Sequence, residues 1–134
     1  PEEIYNDPAN IFVAQFIGTP KMNILDLKEE NIVSENTIKL LGNDIQFEKL
    51  KLKKTKHFLG IRPEHLKVNQ NTKFTFNPEI ELIENLGNEK IVYMKKDEHQ
   101  LSAKIPSNIE IGNSIGFDLN DIFIFDENGN RLKS

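Results

Sequence analysis

The stretch DPANIFVAQFIGTPKMNIL, residues 7–25, joins two different patterns of apolar residues. Its first half carries apolar residues at helical spacing behind an Asp-Pro pair, which is typical of a helix N-terminus. Gly18 is placed to end this helix, and the Thr-Pro pair after it forms a turn. The stretch therefore predicts a short N-terminal helix followed by a β-strand.

The predicted helix, residues 1–18, has one apolar face, formed by Phe12, Val13, Phe16 and Ile17. A helix this short is marginal in isolation, so this face must pack against other residues. Two partners stay open. One is the core of the same domain. The other is a further part of a longer protein, because the chain begins without a start methionine and looks like a piece of one.

Beyond residue 20 the apolar residues recur mostly at every second position, which is the pattern of a β-strand. This alternation runs through residues 37–40, 73–76, 101–105 and 115–119. Turn signals built on Gly and Asn lie at residues 42–44, 86–88 and 128–130. Both residue types tolerate a positive φ, which tight hairpin turns require. About nine or ten short strands with such turns predict a small antiparallel β-barrel or sandwich.

The β part divides at the polar stretch NQNTK, residues 69–73. We interpret residues 21–68 and 73–134 as two lobes that share one core rather than as separate domains. Residues 91–94, IVYM, are apolar on both faces, which is typical of a strand that is buried on both sides.

Charge and composition exclude several classes of function. The net charge of −4 gives no general attraction to nucleic-acid backbones. No apolar run approaches the roughly 20 residues that a membrane helix needs, so we expect a soluble chain. Without cysteine the chain has no thiol nucleophile and no Cys-ligated metal site.

The remaining polar residues form no recognisable catalytic site. The three histidines are not spaced with carboxylates as metal ligands would be. Glu79, Glu81 and Glu84 stand close together, but their strand pattern places them mostly in water. The chain has no phosphate loop, and its serines lack a nucleophile-elbow context. We therefore predict neither catalysis nor a metal site.

Two short segments have alternative interpretations. KLKLKKTKH, residues 49–57, is either a solvated basic face or the phosphate-tracking strip of an oligonucleotide-binding barrel. GIRPEHL, residues 60–66, is predicted to extend up to Pro63 and then to turn. Its Arg62 suits bidentate pairing with a carboxylate such as Glu64, either as a structural tie between the lobes or in a loop that contacts a partner.

Four stretches carry a resemblance to a known family. They are IYNDPANIFVAQFIGTPKMN (4–23), LGIRPEHL (59–66), IENLGNEKIVY (83–93) and IFDENGNRL (124–132). In this order they resemble the C-terminal regulatory region of the ATP-binding subunit of a bacterial ABC importer, of the maltose and multiple-sugar type. That region is similar to the TOBE family, whose fold is an antiparallel β-barrel related to the oligonucleotide-binding (OB) fold.

The resemblance implies a mainly β, OB-like barrel preceded by a short N-terminal helical segment. Residues 1–20 would be the helical connector from a missing nucleotide-binding domain, and residues 21–134 the regulatory barrel. The connector would contact that missing domain through Tyr5, Phe12, Val13, Phe16 and Ile17.

The resemblance also implies a function. The chain would be a non-catalytic domain that pairs with a second copy and so tethers two ATPase subunits, with ATP and Mg bound only in the missing domain. Its partners would be that domain, the permease subunits reached through it, and a possible regulatory protein, at the cytoplasmic face of the membrane. The candidate regulatory or dimer surface consists of Gly60, Arg62, Pro63, Glu64, His65, Gly112 and Gly116.

Alternatives remain at this stage. Glycerol-3-phosphate and polyamine importers carry similar barrels, although GIRPEHL and the helix stretch look closest to the carbohydrate group. Related barrels in molybdate systems bind oxyanions, and Lys104, Ser107 and Ser114 could contribute to such a sensor site. A nucleic-acid-binding barrel is disfavoured by the net charge and by the scarcity of Trp and Tyr.

Overall fold

The computed structural model describes residues 9–16, 18 and 20–133, without the side chains of Phe12 and Phe16. Within these residues the chain forms one short α-helix, α1 (Ile11–Phe16), and twelve β-strands. The strands are β1 (Asn23–Leu27), β2 (Ile32–Ser34), β3 (Thr37–Leu40), β4 (Asn43–Gln46), β5 (His57–Ile61), β6 (Phe74–Phe76), β7 (Glu79–Asn85), β8 (Glu89–Lys96), β9 (His99–Pro106), β10 (Ile115–Phe117), β11 (Ile122–Phe125) and β12 (Arg131–Leu132). Three single 3-10 turns lie at Glu29–Asn31, Pro63–His65 and Leu119–Asp121.

The strands form four sheets, and every described pairing is antiparallel. The strand orders are β1-β5-β11-β12, β10-β6, β2-β3-β4 and β7-β8-β9. This confirms the prediction of a mainly β, antiparallel fold, and it is compatible with an OB-like architecture.

Most predicted turns occur where glycine lies at positive φ. Gly87 connects β7 to β8 with φ of 99°, and Gly129 connects β11 to β12 with φ of 82°. Two predictions need correction. The β3–β4 turn consists of Leu41 and Gly42, both at positive φ, because the asparagine and aspartate that follow already pair in β4. Leu119, predicted as the end of a strand, instead opens a 3-10 turn after β10.

The core is one main cluster to which residues on both sides of the stretch 69–73 contribute. Leu25 and Ile45 come from the first part of the chain, and Phe74 and Phe117 from the second. The Phe74 and Phe117 rings pack with centroids 5.4 Å apart, an aromatic contact that adds to the apolar area they bury. Residues on both sides of this stretch thus contribute to one core, while the division into two lobes stays a prediction.

Asn23 joins two of the sheets through its side chain. Its Nδ2 donates to the Ser102 carbonyl at 2.9 Å, and its Oδ1 accepts the Ser102 backbone N–H at 2.8 Å. Nδ2 also donates to the Ile61 carbonyl at 3.1 Å. The amide therefore pairs with the edge of β9 as a neighbouring strand would, and it connects β9 to β1 and β5.

Helix α1 is held on the β-sheet by its backbone. The Ile11 N–H donates to the Gly129 carbonyl at 2.8 Å, and the Arg131 N–H donates to the Ala9 carbonyl at 3.0 Å. The Asn10 side chain caps the first turn by accepting the Val13 N–H at 3.0 Å. The predicted cap at Asp7 lies outside the described residues. Ala9 and Asn10 are not helical, so α1 begins at Ile11, later than the sequence pattern indicates.

Candidate interaction surfaces

Strand β7 carries the largest group of exposed apolar side chains in the described part of the chain. Every residue of β7 is exposed. Four large apolar side chains on β7 and the turn after it share this exposure: Ile80, Leu82, Ile83 and Leu86. We call residues 79–86 the β7 edge. A row of exposed apolar residues on a strand is the usual sign of a surface that binds a partner.

The β7 edge continues the buried face of its sheet. Ile80 and Ile83 stand opposite Met94 and Val92 of β8, which are each only 1% exposed and belong to the main core. The same apolar face therefore runs from the core out onto β7, where Ile83 is 48% exposed. Leu82 lies opposite Tyr93 on the other face.

Three glutamates alternate with these apolar residues. Glu79, Glu81 and Glu84 are all exposed, as the sequence pattern predicts. Glu84 accepts a hydrogen bond from the Tyr93 hydroxyl at 3.1 Å, and this bond raises the pKa of the tyrosine. Among the described residues, none of the three glutamates has a cation within ion-pair distance. The β7 edge is therefore apolar and acidic.

The loop Gly60–Leu66 is less accessible than the sequence suggests. Gly60, Arg62 and Pro63 are buried within the chain, because β5 lies between β1 and β11 and the loop folds back as a 3-10 turn. Glu64 is exposed and His65 is partly exposed. Within this loop, Glu64 and His65 are therefore the residues of the predicted regulatory or dimer surface that a partner could reach, and their role stays a prediction.

Arg62 packs as part of the structure. Its guanidinium lies 5.7 Å from the centre of the Phe123 ring, and the Arg131 guanidinium lies 4.5 Å from the same centre. Burial lowers the pKa of both arginines. Phe123 also packs in a small cluster with Ala14 of α1, so one aromatic ring connects the loop, β12 and the helix. This supports the interpretation of Arg62 as a structural tie.

The two glycines predicted in the second surface differ in environment. Gly112 is exposed, and a Cβ added there would meet no atom within 4 Å. Gly116 is buried in β10, where its N–H and C=O both pair with Lys67. A Cβ on Gly116 would collide with Thr72, which closes this position to any partner. Only Gly112 can therefore belong to an exposed surface.

Residues predicted to contact a missing domain are only partly described. Tyr5 and Ile17 lie outside the described residues, as do the side chains of Phe12 and Phe16. Val13 is partly exposed, whereas Ala14 is fully buried against Met22 and Phe125. The helix thus packs on its own domain through Ala14 and keeps the side of Val13 accessible.

A charged cluster fixes the segment after the loop. Lys67 Nζ donates to Asp121 at 2.8 Å and lies 3.4 Å from Asp118, and these contacts raise the pKa of Lys67. Asp118 also accepts the backbone N–H of Lys73 at 2.8 Å. That hydrogen bond, followed by the nearby Lys67, lowers the pKa of Asp118.

The alternative ligand sites gain no geometric support. Lys104 pairs with Glu89 at 3.6 Å, and the Ser107 N–H donates to the Asn88 carbonyl. These two oxyanion candidates therefore make separate contacts. No described contact joins either of them to Ser114. Within the described ranges, no three potential metal ligands come together.

The basic run, residues 49–57, lies mostly outside the strands and enters β5 only at His57. Its lysines are exposed, while Leu50 and Leu52 are buried in the core. This arrangement favours the interpretation as a solvated face. No helix in the part of the chain that the structure describes is long and apolar enough to cross a bilayer.

Curated relatives match almost the whole chain. An sn-glycerol-3-phosphate import ATP-binding protein of Psychromonas ingrahamii is 37% identical over 94% of this chain and 36% of its own length. An alpha-glucoside transport ATP-binding protein of Rhizobium meliloti is 30% identical over 100% of this chain and 40% of its own. A trehalose/maltose import ATP-binding protein of Thermococcus litoralis is 34% identical over 95% and 38%. No protein-family model matches the chain.

These relatives confirm the resemblance to ATP-binding subunits of sugar-type ABC importers. The chain spans between about a third and two fifths of the length of these three relatives. The β7 edge overlaps the conspicuous stretch IENLGNEKIVY, but the sequence pattern did not identify it as a surface, because alternating Glu and apolar residues are also typical of a half-buried strand.

Proposed function

We propose that this chain, similar to one part of the ATP-binding subunits of sugar-type importers, is the non-catalytic regulatory and dimerisation domain of such a subunit. The observation that carries the proposal is the match of 94–100% of the chain to 36–40% of the relatives. A segment that matches as a block is the expected mark of a domain, and ATP and Mg binding would belong to the rest of the subunit.

The proposed mechanism is a tether. Two barrels that stay paired would keep two nucleotide-binding domains close after they separate, which makes their next association effectively intramolecular. A regulator that binds the barrels would bias the open or the closed state only if its affinity for the two states differs. The exposed residues Glu64, His65 and Gly112 are candidates for the paired or regulated surface.

Helix α1 would transmit motion between the two domains. Its backbone is bonded to the β11–β12 turn through Gly129, and Ala14 locks it onto the sheet. The accessible side that includes Val13 would face the nucleotide-binding domain, and permease subunits would be reached through that domain. The subunit would then lie at the cytoplasmic face of the membrane.

The clamp made by Asn23 supports a closed, OB-like barrel, since it bridges β1 and β9, two strands of different sheets. A closed barrel would be a stiff body, which is what a tether between moving domains requires.

The non-catalytic part of the proposal is tested with nucleotide. Calorimetry of the chain with Mg-ATP should give no saturable heat, and a phosphate-release assay should equal the buffer blank. Saturable binding or turnover of ATP would overturn the proposal.

The paired surface can be mapped because the chain has no cysteine. Single variants Glu64→Cys and Gly112→Cys should form disulfide-linked dimers faster than Val33→Cys. Val33 is the control, because its side chain is exposed and it lies far from both candidates in the sequence. Equal, slow cross-linking at all three positions would exclude these loops from the paired surface.

A further inference from the structure

We propose that the β7 edge, residues 79–86, binds an extended peptide segment in which lysine or arginine alternates with apolar residues. The segment would add to the sheet as a further strand beside β7. This goes beyond the proposed function, because strand addition requires neither pairing of two barrels nor a nucleotide-binding domain.

The first argument is the position of β7. It is the outer strand of the order β7-β8-β9, and its described backbone pairing is with β8. The outer edge of such a strand offers backbone N–H and C=O groups to an incoming chain. At seven residues it is long enough for strand addition, a common mode of peptide recognition.

The second argument is the distribution of side chains on the two faces. Ile83 stands beside Val92 and Ala103 on the core face of the sheet. Glu84 stands beside Ile91 on the opposite face, the side that also carries the Tyr93 hydroxyl. Because successive residues of a strand point to opposite faces, a peptide of alternating character places apolar residues next to Ile83 and cations next to Glu84.

The third argument is charge. The strand carries Glu79, Glu81 and Glu84 and no lysine or arginine. A second copy of β7 would bring three more glutamates to the same edge, and like charges on adjacent strands are unfavourable. A basic segment provides the opposite charges, so it is favoured over a second copy as the occupant.

The pairing is expected to be strongest from Leu82 onward. The β7–β8 register shifts between Ile80 and Leu82, which marks a β-bulge. A bulge bends the strand and interrupts regular pairing, so an added strand would follow the regular part, residues 82–85, and reach Leu86 in the turn.

The test uses a capped heptapeptide of alternating lysine and isoleucine, titrated into the isotope-labelled chain and followed by backbone amide chemical shifts. We expect saturable shifts concentrated at residues 79–86, and binding that weakens several-fold when the salt concentration is raised. A peptide with glutamate in place of lysine should not bind. A lysine–isoleucine peptide with proline at its centre should bind at least tenfold more weakly.

Leu82→Lys is the diagnostic variant, and Val33→Lys is its matched control. The two side chains are 61% and 58% exposed, so neither substitution should disturb the core. Urea unfolding of both variants checks that their stability is unchanged. Leu82→Lys should weaken peptide binding at least tenfold, whereas Val33→Lys should leave it unchanged. The inference is overturned if Leu82→Lys binds normally, if the acidic peptide binds equally well, or if Leu82→Lys instead abolishes self-association of the chain, which would make a second copy the occupant.

Discussion

Asn23 shows how one side chain can decide the connection between sheets. Its amide is 7% exposed and satisfies the N–H and C=O of Ser102 as well as the carbonyl of Ile61. This role could not be predicted from the sequence, since Asn23 stands at the start of a predicted strand, where an asparagine is common. The clamp depends on a contact between residues 79 positions apart, which local patterns do not reveal.

Replacing Asn23 tests the clamp. Asn23→Ala leaves the buried groups of Ser102 and the Ile61 carbonyl without this partner, so we expect the free energy of unfolding to fall by about 2–4 kcal/mol. Urea denaturation measures the change. Asn43→Ala is the control, because Asn43 also donates to a distant carbonyl, that of Thr75, but it is only partly buried. A loss no larger than that of the control would show that the clamp adds little.

The two glycines of the predicted second surface give a matched pair. A methyl group on Gly116 would collide with the Thr72 hydroxyl and lie 3.0 Å from the Thr72 Cβ, whereas one on Gly112 meets nothing within 4 Å. We expect Gly116→Ala to destabilise the chain by about 1–3 kcal/mol and Gly112→Ala by less than about 0.5 kcal/mol. Thermal unfolding of both variants measures this. Equal stabilities would contradict the described packing of β10 against Thr72.

The contacts of Asp118 predict that the fold becomes less stable in acid. The Lys73 N–H and then Lys67 lower its pKa in the folded chain below 3.8, so its carboxylate stabilises the fold at pH values above that. This contribution should disappear as the pH falls from about 4 through the lower folded pKa. Asp118→Asn keeps an acceptor for the Lys73 N–H but not the charge, so its urea midpoint should fall less steeply below pH 4 than that of the unmodified chain. Asp44→Asn, at a carboxylate outside the described ion pairs, should retain the full slope.

Among the elements, several strands were predictable from the alternation of apolar and polar residues. Strands β3, β6 and β9 lie where the apolar residues alternate, at residues 37–40, 73–76 and 101–105, because one face of each strand packs in the core. The exposure of the apolar residues of β7 could not be predicted, since the same alternation fits an edge strand and a half-buried one. Whether a strand lies at an edge depends on which strands pair, and that is set by the whole chain.

Helix α1 is expected to depend on Ala14. Ala14 is fully buried among Met22, Phe123 and Phe125, so Ala14→Glu would place a charge in an apolar cluster and release the helix. Amide hydrogen exchange should then show loss of protection at residues 13–16 and little change in β8. Val13→Glu, on the accessible side, should leave the protection intact. Unchanged protection in Ala14→Glu would mean that the helix is held by other contacts.

For the whole molecule, we propose a β-domain that works by binding rather than by chemistry. The described residues supply a shared core, a clamp between sheets, an anchored helix and an apolar, acidic edge. The relatives that it matches are ATP-binding proteins for glycerol-3-phosphate, alpha-glucoside and trehalose/maltose transport. The general class was predictable from four sequence stretches and the β-rich fold from the alternation of apolar residues, whereas burial of Gly60, Arg62, Pro63 and Gly116 was not.

The proposed function requires that this domain pairs with a second copy and so tethers two subunits. Sedimentation velocity over a wide range of chain concentration tests it most directly. We expect a reversible shift from monomer to dimer as the concentration rises, at the same midpoint with and without Mg-ATP. A single monomeric species up to millimolar concentration, or a dimer that forms only with nucleotide, would contradict it.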